Sequence, residues 1–537
     1  MNTLKENSTT PLTFTLKNDK IIDVAFKGIL ERTLNSKISE LIERLNKMID
    51  TNAMLLCDSY KTCHINMFPK GLTKLYSYWT PRKSMLKTQN KMVFFGLQAF
   101  IQEFLVDYFK KNFFDREIND VVSEYEKYMK VQLPNGGYAT TNIIDLHRLG
   151  YLPLQIRAIP EGTSVNMGIP CIEVTNTNDN FAWLVQWVEC ILQAELWKTC
   201  NHATISKMYL ELAKEFYSET CDANEDPRMA MSDFGMRGMS CTNEAIRCSA
   251  AWLTCFNKTS TVPALPYIDK YYNADVTNTK IGMGAVSTEH SVMASNYAID
   301  GDEVTFIRRM LTEIYPNTSF SMVSDTYDYW NLVDNIIPSL KDEILMHNGT
   351  LLIRPDSGDQ FDVVTKTMTS LWNTFGGETN TKGYKVLNPH IRIILGDGCT
   401  LFTVRKIWNW FKDNGFAADN LYLGVGAFCF TGIFDNDKLI CNTRDVYGIA
   451  MKATAGVTNG NFHFIYKDPK TDKEKLKKSH KGIVWVRKDA DGNLFETDEH
   501  TEMLNENASA LKTVFKDGVM LNKQTFAEIR NRINNGE

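Results

Sequence analysis

Between Phe95 and Lys130, in and around FFGLQAFIQEFLVDYFKKNFF, apolar residues recur every three or four positions and predict helix. Two strand-like passages follow, LPLQIRAIPEG and IPCIEVTNT, and then FAWLVQWVECILQAELW (Phe181 to Trp197), apolar enough for a buried helix. ISELIERLNKMID, within the first 50 residues, alternates charged and apolar positions and reads as a helical lead-in. Beyond residue 225 short apolar runs alternate with helical stretches, and the runs end in chemically loaded residues: GAVSTEHS, SFSMVSDTYD, TLLIRPDSGD, IRIILGDG and LYLGVGAF.

Taking His290, Asp325, Asp356, Asp397 and Gly426 as markers, the intervals are 35, 31, 41 and 29 residues, each the length of one strand, one helix and two loops. That rhythm implies parallel βα units, as a doubly wound sheet or a barrel. In both, polar residues just after the strands share one face, where α/β proteins build their sites. The bland alternative is that each marker caps the next helix. Five such ends in series, with His and Arg among them, favour a site.

At 537 residues the chain exceeds one core and predicts at least two domains. A net charge of −5 argues against a broad nucleic-acid or acidic-membrane surface. The N-terminus has no apolar core of signal-peptide type, and no apolar run reaches a membrane-spanning length. Twelve scattered cysteines form no C-x-x-C pair, so reduced thiols and a cytoplasmic location are expected. Cys241, Cys248 and Cys255, seven apart, read as small buried residues rather than metal ligands. The basic stretch YKDPKTDKEKLKKSHKG reads as a solvated loop, followed by two strand-like pieces and a final helix, TFAEIRNRI.

The strand ends divide by chemistry. GVGAF (Gly424 to Phe428) turns tightly enough to offer backbone N–H groups to an anion, and Arg444 and Lys452 follow it within one βα interval. A fork-shaped guanidinium and a point-charge ammonium beside such a loop suit a phosphate. Asp325, Asp356 and Asp397 are fitted to sugar hydroxyls or Mg²⁺. Together these residues point to a phosphorylated sugar, a class that includes metal-dependent sugar-phosphate isomerases. In SDFGMRGMS, Phe234 and Arg237 are three apart and are able to present a ring face and a guanidinium to a planar heteroaromatic bearing a carbonyl. His290, beside Glu289, is a candidate for protonic or phosphoryl chemistry.

In order, CDSYK, LYSYWTPR, SDFGMRG, TEHS, VSDTYD, IRPDSG, GDG, NTRD, VTNG and YKDP resemble the nicotinamide phosphoribosyltransferases, type II phosphoribosyltransferases of NAD salvage, from about Asn52 to near the C-terminus. The resemblance implies an α/β fold. A βα-barrel-like catalytic domain would span 201–444, and an α+β domain 52–200 joined by 445–537, after an extension at 1–51. It implies transfer from phosphoribosyl pyrophosphate to nicotinamide with Mg²⁺, with ATP as a coupled co-substrate, in a homodimer with shared active sites. Phe234 and Tyr60, the latter from the partner subunit, would sandwich the pyridine, and Arg237 would hold the carboxamide oxygen. Asp356 and Arg354 would address the ribose, with Asp397 near by. Gly426, Ala427 and Arg444 would hold the 5′-phosphate, with Arg82, Lys452 and Lys467 adding phosphate contacts, some across the interface. His290 would be the phosphorylated histidine, oriented by Asp325.

Two departures stand out. The family's phosphate loop is richer in glycine than GVGAF. At Ser260, in FNKTSTV, the nicotinamide enzymes usually carry an Asp that would repel a carboxylate. A serine there predicts measurable use of nicotinic acid, so a nicotinate or dual-base enzyme is the alternative. A quinolinate enzyme would need further cations around Phe234. A non-catalytic binding protein of the same fold is the remote alternative, disfavoured by the presence of His290, Asp356 and Arg444.

Overall fold

The computed structural model describes residues 51–435, 438–472 and 477–535, and a two-residue ladder between Thr15–Leu16 and Lys20–Ile21. The lead-in helix expected at 38–50 lies outside the described residues. The helical stretch after Phe95 is divided. Helical turns run from Leu97 to Phe114, Glu117 takes an extended backbone (φ −62°, ψ 131°), and a second helix, Ile118–Gln132, buries Val121, Tyr125 and Met129.

Three strands open the core, β1 (Leu72–Thr80), β2 (Leu154–Ala158) and β3 (Ile172–Asn176). A 32-residue helix, α1 (Glu189–Thr220), follows. The apolar run from Phe181 leads into α1, whose polar residues are buried as well as its apolar ones. Thr204 and Ser206 satisfy their hydroxyls on the carbonyls of Cys200 and His202, one turn back, so the helix tolerates burial on most sides.

Seven strands then alternate with helices: β4 (Met231–Asp233), β5 (Lys258–Thr259), β6 (Val286–Ser287), β7 (Phe320–Val323), β8 (Leu351–Arg354), β9 (Ile391–Leu395) and β10 (Leu421–Val425). Among the helices are α2 (Thr242–Leu253), α3 (His290–Asp300), α4 (Gln360–Phe375) and α5 (Leu401–Asp413). The strands pair in parallel in the order β6-β7-β8-β9-β10-β4-β5. A parallel bridge from Lys258 to Met283, three residues before β6, links the two edges, and the Thr259 amide donates to the Met283 carbonyl at 3.1 Å. The sheet therefore curls into a barrel-like wall, which decides against the doubly wound arrangement.

The chain then returns to the first sheet with β11 (Ala450–Thr458), β12 (Asn461–Phe464), β13 (Lys512–Lys516) and β14 (Val519–Met520). The antiparallel order is β12-β11-β1-β3-β2-β13-β14, with β11 beside β1 over most of its length. Helix α1 packs on α2 and α5 and touches β11, so it forms a wall common to both sheets. Among the described residues no helix is long and apolar enough to cross a membrane. All twelve cysteines are free; Cys248 and Cys255 are buried and Cys241 is exposed.

Candidate active site

Because β4 to β10 all run the same way, the residues that follow them lie on one rim. Helix capping does not account for its acids. The caps of the following helices are Asp328, Asp359 and Thr400, whose side chains accept from the Asn331, Asp362 and Thr403 amides. Asp325, Asp356 and Asp397 are left for other work.

Arg354, at the end of β8, reaches across β7. Its guanidinium donates to Ser287 Oγ at 2.6 Å and to the Thr288 carbonyl at 2.9 Å, and its Nε lies 3.6 Å from Asp356 Oδ1. Asp325 is nearly buried. Its Oδ2 accepts from the Asp356 amide at 3.2 Å and from Ser357 Oγ at 2.5 Å, and its Oδ1 has no hydrogen-bond partner among the described residues. His290, half exposed at the start of α3, places Nε2 3.8 Å from Asp356 Oδ2 and 4.0 Å from Asp325 Oδ1. The group in hydrogen-bonding reach of its ring is Thr326 Oγ1, 3.1 Å from Nδ1, not Asp325. Burial raises the Asp356 pKa above the usual carboxylate range; Asp325 and Asp397 push the same way, against Arg354 and His290. Gly396 leaves room for this carboxylate, since a Cβ there would stand 2.8 Å from Asp356 Oδ1.

On the neighbouring strands β10 and β4 the rim becomes a shelf. Phe234 lies over Gly424, where an added Cβ would come within 2.2 Å of the ring, and its amide donates to the Val425 carbonyl at 2.8 Å. The turn Met236–Gly238 carries Arg237 into solvent, and Gly238 closes on Ala427. Ser260 is exposed just past β5, its amide donating to the Asp233 carbonyl at 2.9 Å.

Asp233 was not singled out by sequence reasoning, although its signal, the acid before Phe234 in SDFG, was on view. Its buried carboxylate accepts from the Gly235 amide (2.7 Å), Thr259 Oγ1 (3.0 Å) and Thr261 Oγ1 (2.8 Å). One group thereby fixes the Phe234 turn and the Ser260 loop together. Asp233→Ala leaves three buried donors without their acceptor and is expected to cost about 3 kcal/mol or more in a denaturant melt. An unchanged midpoint would contradict this role.

Tyr60, Arg82, Lys452 and Lys467, also expected at the site, stand on the antiparallel side. Tyr60 is 53% exposed, next to Lys61, which pairs with Glu189 at 2.8 Å. Lys452 approaches the same Glu189 at 3.6 Å. Arg82 donates through Nε to the Gly448 carbonyl, and burial together with nearby Arg444 lowers its pKa. Arg82, Lys452, Lys478, Ser479 and His480 line a cavity of ≈ 310 Å³, and the Lys467 amide donates to Ser479 Oγ at 2.9 Å. Part of the stretch expected to be a solvated loop thus lines a cationic hollow. Among the described residues, Tyr60, Arg82, Lys452 and Lys467 make no hydrogen bond or ion pair with a rim residue.

The profile of the nicotinate phosphoribosyltransferase (NAPRTase) family matches residues 229–519, and that of the nicotinamide phosphoribosyltransferase N-terminal domain matches 52–156. Nicotinamide phosphoribosyltransferase of Acinetobacter baylyi is 36% identical over 90% of this chain and 97% of its own. The Xanthomonas campestris protein of the same name is 30% identical over 89% and 97%. Among solved structures, nicotinate-nucleotide pyrophosphorylase of Pyrococcus furiosus superposes with a TM-score of 0.53 over 90% of this chain and 95% of that one, at 14% identity, a likeness of fold alone.

Proposed function

The chain belongs to the nicotinate phosphoribosyltransferase family, and from that premise we propose that it transfers the phosphoribosyl group of phosphoribosyl pyrophosphate to nicotinamide, giving nicotinamide mononucleotide and pyrophosphate in NAD salvage. One observation carries the reading. A ring shelf, Phe234 on Gly424, and a cation–carboxylate rim, Arg354 with Asp356, occupy one face of a single parallel sheet.

Phe234 orients the pyridine so that its nitrogen faces C1 of the ribose, which removes much of the entropic barrier to encounter. Arg237 takes the carboxamide oxygen. As the bond to pyrophosphate lengthens, positive charge grows on the ribose, and the carboxylates of Asp356 and Asp397 stabilise it electrostatically. Arg354, held by Ser287 and Thr288, fixes the ribose phosphate side of the rim without reorganising. Gly426, Ala427 and Arg444 receive the 5′-phosphate.

Among the described residues no group of three or more His, Cys, Asp or Glu side chains is arranged to hold a metal. Asp356 and Asp397, the carboxylates at the rim, would be the residues to hold a Mg²⁺. Bound in this way, Mg²⁺ would supply charge neutralisation of the leaving group. His290 would accept the γ-phosphoryl group of ATP on a ring nitrogen as ADP leaves, and water would later take that group as phosphate. Twelve free thiols suit the cytoplasm.

Tyr60, Arg82, Lys452 and Lys467 serve the rim of a second copy, so the enzyme works as a homodimer with shared sites. Arg354→Ala and Arg82→Ala homodimers are each expected to be nearly inactive. Mixed and allowed to exchange subunits, they should regain about a quarter of wild-type activity, because half the dimers are mixed and each mixed dimer holds one intact site. No recovery after verified exchange would exclude sharing.

Nicotinic acid is the second reading, favoured by Ser260 at the shelf. The deciding assay offers phosphoribosyl pyrophosphate and Mg²⁺ with each base, with and without ATP, and follows mononucleotide formation. Absence of product from both bases would overturn the function.

A further inference from the structure

Lys258 opens β5, and its in-register partners are Ser232 on β4 and, beyond it, Gly424 on β10. Thr259 turns outward to Ser249 of α2 at 2.8 Å, so Lys258, by the two-residue period of a strand, turns into the barrel. Two residues further along the same strands stand Ser260 and Phe234. Lys258 therefore lies one row beneath the ring shelf, about 7 Å along the strand.

Its ammonium makes no hydrogen bond and no ion pair among the described residues. The contact it makes is with the face of the Tyr422 ring, 4.2 Å from the centroid. Burial alone lowers its pKa, to about 8, and no carboxylate raises it again. Arg392, a further cation of the wall, is differently placed. It donates to the carbonyls of Leu387, Asn388 and Ile391, and Asp419 and Glu225 stand near it. An unpaired buried ammonium is costly to keep, and Lys on an interior strand position has many cheaper replacements.

We propose that Lys258 is a specificity-determining residue of the base site. From inside the barrel it supplies the positive charge that a carboxylated pyridine calls for and a carboxamide does not. The inference rests on the phosphoribosyl-transfer reading. With the ammonium turned from Tyr422 towards the shelf and about 7 Å from the base, at an effective dielectric of about 20, one unit charge would shift the preference between an anionic and a neutral base by one to two powers of ten. The four-carbon stem lets the ammonium exchange the Tyr422 face for the underside of the shelf.

The test compares kcat/KM for nicotinate and nicotinamide in the wild type, Lys258→Met and Lys258→Arg, with melting curves to establish that each is folded. The wild type should use both bases. Lys258→Met should lose at least tenfold on nicotinate and less than threefold on nicotinamide, and Lys258→Arg should keep the wild-type ratio within threefold. Should Lys258→Met not fold, Lys258→Gln carries the same comparison. An unchanged ratio in the charge-removing variant, or no nicotinate turnover by a wild type active on nicotinamide, overturns the role of Lys258 and leaves the proposed function standing. A wild type inactive on both bases overturns both.

Discussion

Asp356→Asn is expected to slow phosphoribosyl transfer by about 10² to 10³ and, at pH 7, to raise the melting temperature. The rate loss follows from removing a charge aimed at the developing positive centre, a type of loss comparable with deleting one preorganised electrostatic partner. The stability gain follows from the pKa. Burial and the neighbouring Asp325 and Asp397 raise the Asp356 pKa, so the folded protein binds that proton more readily than the unfolded chain does. The stability linked to this group is fully present below the ordinary carboxylate range and is lost as pH rises through the raised value. At pH 7 the ionised carboxylate is a cost that Asn removes, whereas near pH 3 Asp and Asn are equivalent. Melts at the two pH values, beside initial rates, check both parts. A variant less stable than wild type at pH 7 would mean that the Arg354 and His290 attractions outweigh burial and repulsion.

Gly424→Ala is expected to raise KM for the base about 10- to 100-fold and to cost about 1–3 kcal/mol of stability. The added methyl would stand 2.2 Å from two atoms of the Phe234 ring, and the ring leans on the backbone through its own amide, so it has little freedom to withdraw. Gly426 is the control in the same motif. Apart from its own chain neighbours, no atom of the described residues lies within 4 Å of a Cβ built there, so Gly426→Ala should leave the melt unchanged and act on phosphoribosyl pyrophosphate rather than on the base. Equal KM values for the base in wild type and Gly424→Ala would remove Phe234 from the ring shelf. The two glycines of GVGAF thus have separate reasons: one admits a side chain, the other leaves space for a ligand.

That distinction marks how far the residues could be read in advance. Strand, turn and loaded end were legible in IRPDSG and VSDTYD, because burial on both faces of a parallel strand demands an unbroken apolar run and its end then stands out. Asp359, not Asp356, turned out to cap the next helix, and nothing local to PDSGD separates the two acids. Thr326 came within hydrogen-bonding reach of His290 while Asp325 stands 4.0 Å from it, because Asp325 spends one oxygen on the Asp356 amide and Ser357 of the next strand end. Asp233 stands in plain view in SDFG, but what it holds was hidden for a similar reason. Its partners Thr259 and Thr261 are 26 and 28 residues away in sequence and meet it only when β5 pairs with β4.

The sequence by itself determined the rhythm of βα units, the rim chemistry carried at their ends and the membership of a phosphoribosyltransferase family, since these rest on patterns confined to one element or on ordered motifs. Tertiary structure decided that the parallel wall curls into a barrel, that β11 completes a sheet begun by β1, and that Tyr60, Arg82, Lys452 and Lys467 stand on the antiparallel side, with no bond to the rim among the described residues. It also decided that Lys258 points inward with no counter-ion among the described residues. The physical reason is common to all of these. Strand pairing and charge compensation are set by neighbours far apart in the chain, and which neighbours meet is fixed only when the sheets close.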